Sequence, residues 1–353
     1  MLKYLKDIKI IIGKDFNKIW LMTFLFLILS VLEILGIGLI YPYVSVIVNP
    51  SEFISSKTYI LINNFFVFKD IDQFFRLVGF TLIGLFTLKA FVGITTNRMI
   101  INFGLKQGIK LRAELMNSYQ NMEFINFTKR NTSEYIYNIY HLTNQYSQTV
   151  LVSLLKILSE SIVVSVILII LAISNILIFF ILTFFLFTIF ILFDFLFKKK
   201  LKRYGVETNK ESNNIVKYIN ESMNGIKTIR ILGISDFYFN YLINSSKNYA
   251  KANLNQLTIS QSPKFIIEAC IIYFLVIAFI LSIVIFEERQ NIIPLLGMFG
   301  IAAIRLIPST NQLITSFSHL RFCRDGMSLL SADLAQLRKL EQENKNNFTN
   351  ENK

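Results

Sequence analysis

The sequence predicts an all-α membrane protein, six transmembrane helices carrying two long cytoplasmic helical hairpins. Three observations lead there: a composition rich in apolar and poor in charged residues, six stretches long enough to cross a bilayer, and basic residues crowded onto alternate connections. The 353-residue chain is 53% hydrophobic and 17% charged, with 34 Phe; a soluble domain carries closer to about a quarter charged residues. Its two cysteines are Cys270, inside an apolar run, and Cys323, far along the chain. Neither has a metal-site or disulfide-framework spacing, so both read as packing thiols.

Crossing a hydrocarbon core of about 30 Å takes about 20 apolar residues. The qualifying stretches run about 20–48, 74–94, 150–174, 176–197, 265–286 and 292–317. The first is too long for a signal-peptide core and no small-residue cleavage site follows it, so it reads as a retained helix. Only the neighbourhood of Ser174 and Asn175 separates the third stretch from the fourth, which implies a tight hairpin.

Lysines and arginines fix the orientation. Residues 1–19 carry five, 95–149 six, 198–264 twelve and 305–353 seven, whereas the alternate connections hold only Lys57, Lys69, Arg76 and Arg289. Basic residues concentrate on the cytoplasmic side, so both termini are expected inside the cell and the chain in the inner membrane. The net charge of +13 is thereby explained by topology, and no nucleic-acid partner is needed.

Connections on the two sides differ in length. The two inner ones, 95–149 and 198–264, each exceed fifty residues and lack Pro or Gly clusters. Leu201, Tyr204, Ile215, Ile219 and Met223 recur at three- and four-residue steps in one, and Ile109, Leu111, Leu115 and Tyr119 recur between basic residues in the other. A helix leaving the membrane for about 25 residues reaches about 37 Å. Each inner connection therefore reads as a helical hairpin projecting into the cytoplasm, where a polar hairpin alone gains little from packing and needs a partner.

This arrangement resembles the transmembrane domain of ABC exporters, and local strings support it. Residues 121–134, NMEFINFTKRNTSE, are similar to the family's first coupling segment, with Thr132 or Ser133 placed to cap a helix before Glu134. Glu221, Gly225, Ile226, Ile229 and Arg230 fit the family's E-x-x-x-G-I-x-x-I-(K/R) stretch, followed, as in the family, by Asp236, Phe237 and Phe239. A narrower likeness is to flippases of lipid-linked oligosaccharides of the protein-glycosylation type. It rests on Glu33 ahead of Pro42, and on residues 305–316, RLIPSTNQLITS, the most specific string in the chain. Residues 59–68 are similar, more weakly, to that group's short external helix.

The resemblance implies a transmembrane domain over 20–322, preceded by a cytoplasmic segment at 1–19. Residues 323–353 are expected to be a linker or disordered tail where an ATPase domain would follow. No G-x-x-x-x-G-K-[ST] phosphate loop occurs in the 353 residues, so no ATP site is expected in them. ATP would bind at a partner ATPase domain, and the chain would work beside a second transmembrane half, amid membrane lipids. By the same resemblance, Phe124, Phe127, Glu134, Asp236, Phe237 and Phe239 would couple the hairpin tips to the ATPase; the alternative is that these aromatics only stabilise the tips.

Ionisable residues inside the membrane each need a reason, since each costs at least about 2.5 kcal/mol near a helix centre. Lys89 lies about 22 Å below the outer surface and Arg305 about 20 Å, at helical rise, and Lys264 opens the fifth span from inside. All three match basic positions of the flippase group. They read either as a cationic ring for a pyrophosphate or other acidic headgroup, or as side chains that snorkel to the inner surface. Glu33 would either answer one of these cations or cap carbonyls exposed at the Pro42 kink. Lys156 with Glu160, and Lys264 with Glu268, stand one helical turn apart and read as local pairs. Two rival functions stay open: export of another lipid, peptide or polysaccharide precursor, and a non-transporting scaffold derived from an exporter.

Overall fold

The computed structural model describes residues 17–48, 71–174, 176–285 and 292–351. The segment before residue 17, the external helix expected at 59–68 and the connection at 286–291 lie outside the described residues. Every described element is a helix. In chain order they are α1 (Asn17–Val48), α2 (Ile71–Gln120), α3 (Phe124–Thr128), α4 (Thr132–Ile136), α5 (Leu151–Ser174), α6 (Ile176–Asn224), α7 (Ile226–Leu232), α8 (Ser235–Ile285), α9 (Ile292–Phe322) and α10 (Arg324–Glu351). Two wide-turned π-helical segments, Tyr137–Leu142 and Gln145–Val150, carry α4 into α5.

A helix covers each of the six stretches expected to span. Arg76–Gln120, Thr132–Ile173 and Phe179–Asn224 are long and apolar enough to cross a membrane by length and composition, and Trp20–Glu33 is a shorter apolar stretch. Large apolar side chains such as Phe80, Phe91, Ile94, Ile173 and Phe265 stand exposed on the outside of the bundle. Water would penalise such a belt and hydrocarbon does not, so the bundle is membrane-embedded.

Helix length then forces the rest of the shape. The 50 residues of α2, 49 of α6 and 51 of α8 each reach about 75 Å, against a hydrocarbon core of about 30 Å. Most of the excess projects from one side as two hairpins, α2 with α4–α5 and α6 with α8. Short helices form their tips: α3 in the first and α7 in the second. Asn131, rather than Thr132 or Ser133, caps α4: its side chain accepts a hydrogen bond from the Ser133 amide at 3.0 Å. An Asx side chain is already a strong cap from the position just outside the helix. Gly233 ends α7 in the left-handed region, at φ 66°, which lets the chain reverse into α8 without a Cβ penalty.

Three apolar clusters hold the bundle together. Val163, Ile167, Leu182 and Leu306 join α5, α6 and α9, and Phe193, Ile267, Ile271 and Ile314 join α6, α8 and α9. The third and largest runs from Phe26 on α1 through Leu115 and Tyr146 to Met327 and Leu334 on α10.

That last cluster reaches into residues 323–353, expected as a linker or disordered tail. They are helical rather than disordered: α10 runs to Glu351, and Cys323, Met327, Leu330, Leu334 and Leu337 are buried on the first hairpin. Their spacing of four, three, four and three residues is a helical stripe, which the polar 346–353 tail obscures. Gly205 fixes how closely α6 meets the end of α9, because a Cβ there would collide with the Phe322 carbonyl oxygen.

Candidate functional site

Deep in the bundle a single carboxylate gathers two cations from two other helices. Glu33, on α1, is 2% exposed. Lys89 Nζ, on α2, donates to its Oε1 at 2.9 Å. Arg305 Nε, on α9, lies 2.6 Å from the same oxygen as an ion pair, although it is not aligned as a hydrogen bond. Both cations keep about a quarter of their side-chain surface open, 24% and 25%. Lys89 also stands 5.0 Å from the Phe86 ring.

The arrangement chooses between the readings left open for Glu33. It answers the cations across the bundle. Snorkelling does not describe Lys89 and Arg305, since their heads turn towards a buried anion instead of the surface. Two positive charges on one negative leave the centre with a net positive charge. Among the described residues, Glu33 Oε2 is buried without a hydrogen-bond partner, and so are Ser309 Oγ and Asn311 Oδ1 on the same α9 stretch as Arg305.

Lys264, expected to complete a ring, does not join this centre. It is exposed on α8 next to Pro263, and among the described residues no hydrogen bond or ion pair links it to Glu33. Near that proline, Thr315 Oγ1 donates to the Ser260 carbonyl at 3.1 Å and ties α9 to α8. Asp194 pairs with Arg321 and ties α6 to the end of α9.

At the far ends of the hairpins, the tip residues divide into those that face outward and those that brace. Phe124 on α3 is 77% exposed. Phe127 is not free for a partner in the same way: it is partly buried against the core and stacks on Tyr135 at 4.8 Å and 7°, whose hydroxyl donates to the Phe127 carbonyl at 3.0 Å. Glu134 is exposed in the first turn of α4. Asp236 lies in the first turn of α8, and Phe237 and Phe239 are exposed beyond it, with Phe237 packed on Tyr241 at 4.5 Å.

The sequence reading missed α7 as the tip of the second hairpin. Its Ile231 is 73% exposed, and Leu232 and the neighbouring Met223 are also open. Gly225 and Gly233 on either side of a seven-residue stretch holding Ile226, Ile229, Ile231 and Leu232 were the available signal. The tips are neighbours: Asn131 Nδ2 donates to Glu221 Oε1 and Asn220 Nδ2 to Ser133 Oγ, both at 3.2 Å.

A polar network locks α10 to the first hairpin just behind its tip. Asp333 accepts from Arg130 at 2.6 Å, from Asn138 at 2.9 Å and from the Tyr119 hydroxyl. Arg130 also donates to Gln336 at 2.7 Å, and Arg338 donates twice to Glu114, at 3.0 and 2.8 Å. Burial works against the Arg130 charge, but the hydrogen-bonded Asp333 carboxylate outweighs it and holds the guanidinium above its ordinary pKa. The same burial pushes the thiol of Cys323, at the α9–α10 junction, well above its usual range.

Long paired helices that leave the bilayer, short helices at their tips and a charged centre inside the bundle are the main features of the described structure. The family model of the ABC transporter transmembrane region matches residues 35–301, which include Lys89, Lys264 and both hairpins. Glu33 and Arg305 lie just beyond its two ends. With three-quarters of its length matched and the helices in the expected order, this chain belongs to the ABC transporter transmembrane region family.

Proposed function

We propose that this chain is the transmembrane subunit of an exporter-type flippase that moves a lipid-linked oligosaccharide, or a similar amphiphile with an acidic headgroup, across the inner membrane. It crosses six times with both termini in the cytoplasm and pairs with a second transmembrane half. An ATPase domain outside these 353 residues binds ATP and closes against the hairpin tips. Phe124, Ile231 and Leu232 seat in that domain as apolar anchors, with Glu134, Asp236, Phe237 and Phe239 around them.

The observation that carries the substrate reading is the convergence of Lys89 and Arg305 on one oxygen of Glu33. A centre with excess positive charge favours an anion that brings more charge and more acceptors than one carboxylate. In this reading Glu33 holds the two cations in place, and a phosphate or pyrophosphate displaces it. Lys264 is the third cation of the ring, contributed from α8 when the halves rearrange. Lys gives a point charge and Arg a planar fork, so such a ring grips phosphate with modest geometric demand.

The test is flipping of a fluorescent lipid-linked oligosaccharide in proteoliposomes holding this chain and its ATPase. Lys89→Ala and Arg305→Ala are expected to lower the rate at least ten-fold with the protein still folded. Flipping at the parent rate by both variants would overturn the reading. So would equal transport of a neutral amphiphile by the parent.

A further inference from the structure

The stretch that carries α4 into α5 is wound differently from the rest of the described chain. Two π-helical segments, Tyr137–Leu142 and Gln145–Val150, follow one another there. The Thr143 amide donates to the Asn138 carbonyl and the Leu151 amide to the Tyr146 carbonyl, each five residues back. The Thr143 hydroxyl reaches the same Asn138 carbonyl at 3.1 Å, whereas in an α-helix it would bond three or four residues back. Wide turns of this kind are rare, and they recur at places where a helix has work to do.

Burial shows what the second wide turn does. Thr143, Ser147, Leu151 and Leu155 are each 2% exposed or less, and they recur at a strict step of four. In an unbroken α-helix the interval from Thr143 to Leu155 would wind the face round by about 120°. With one residue taken up by a wide turn, the drift falls to about 20°. The Gln145–Val150 turn thus holds one surplus residue and keeps one face buried from the hairpin into the span.

Three neighbouring helices bear on this stretch. On α2, Gly104 lies against the Ser147 carbonyl, and a Cβ on Gly108 would come within 2.8 Å of the Ser147 Cβ; one turn further, Arg112 donates to Asn144. From α10, a Cβ on Gly326 would collide with the Gln145 side chain. On α6, Asn209 accepts from the Tyr137 hydroxyl at 3.2 Å and donates to Asp325 of α10 at 3.1 Å. We infer that residues 137–150 are the hinge of the first hairpin, a two-state segment whose Gln145–Val150 turn exchanges between wide and α-helical bonding. One residue of register is worth about 100° of rotation and 1.5 Å of rise, so even partial narrowing turns a push on the tip into rotation of α5. The glycine seat on α2 presents no side chain for Ser147 to climb over as it moves. That an ATPase supplies the push rests on the proposed function; the two states do not.

Hydrogen exchange read by mass spectrometry on the full chain in lipid nanodiscs tests the hinge. In the parent, the amides of 143–150 are expected to exchange at least about ten-fold faster than those of 104–115 on α2, against which they pack. Deleting the exposed Gln148 removes the surplus residue, so that variant is expected to fold, to keep the parent's thermal midpoint and to lose the fast exchange. Deleting the exposed Lys106 from the regular winding of α2 is expected to abolish folding, because it turns Gly108 and all that follows by about 100°. Equal protection of the two stretches in the parent, fast exchange that survives deletion of Gln148, or unfolding of that variant would each overturn the inference.

A second measurement uses the parent chain assembled with its ATPase, with and without trapped ATP. Exchange at 143–150 is expected to change with nucleotide along with that of the tip at 124–134. Protection of the tip with no change at 143–150 would overturn the hinge and leave the proposed function standing.

Discussion

Lys89 Nζ reaches Glu33 Oε1 at 2.9 Å and joins α2 to α1 inside the membrane. The pair is 56 residues apart in sequence, and Arg305 comes to the same oxygen from the other end of the chain. One carboxylate thus fixes three helices, and removing it leaves two cations without an answer.

Glu33→Gln is expected to destabilise the bundle by about 2–3 kcal/mol. That is less than the ~3–5 kcal/mol for breaking a fully buried pair, because both cations keep about a quarter of their side-chain surface open. Chemical denaturation in detergent micelles measures it. The double variant with Lys89→Met should recover part of the loss, since it removes one of the unanswered charges; no recovery would mean that the pair is not coupled.

Asp333 gathers three donors, so Asp333→Ala strands Tyr119, Arg130 and Asn138 together. A loss of about 3 kcal/mol is expected, concentrated at the α10 docking surface. Limited proteolysis should then cut between Arg324 and Leu337 before anywhere in α5 or α8. An unchanged cleavage pattern would contradict the docking role.

Gly205→Val is expected to prevent normal packing of α6 on the end of α9, because the added side chain meets the Phe322 backbone, which cannot swing away as a side chain would. Gly84, where an added Cβ would meet nothing within 4 Å, supplies the control: Gly84→Ala should leave thermal stability unchanged.

Cys323 is buried and its thiol is held protonated by that burial. Since the thiolate is the reactive species, raising the pH from 7 to 8.5 should barely speed its alkylation in the folded protein. With Cys270 replaced by Ser, maleimide uptake should stay at least ten-fold slower than for a free thiol until the chain is denatured.

Phe124→Ala and Ile231→Ala alter exposed tip residues and are expected to shift stability by no more than about 0.5 kcal/mol. On the proposed function, both should nevertheless uncouple substrate-stimulated ATP hydrolysis when the chain is assembled with its ATPase. Phe127→Ala should do the reverse, destabilising the tip by about 1 kcal/mol or more through the lost stack on Tyr135.

Apolar runs and helical periodicity placed the long elements correctly because they depend only on neighbours along the chain. Of the stripe of Ile109, Leu111, Leu115 and Tyr119, the last three proved to be the buried face of α2, whereas Ile109 is exposed. Local signals for α10 and α7 are also present, but the polar residues 346–353 dilute the first and the Lys227 and Arg230 side chains interrupt the second. Phe124 and Phe127 looked alike three residues apart, yet Tyr135 buries one and leaves the other open.

By itself, then, the sequence determined that this is a helical membrane bundle with two long projecting hairpins, since hydropathy and helical rise leave few other ways to place these residues. Only the tertiary structure decided which charges meet. It brought Glu33, Lys89 and Arg305 together and left Lys264 outside. The physical reason is that an ion pair depends on helix crossing and rotation to within an ångström, and those are set by packing across the bundle, which no single stretch of sequence encodes.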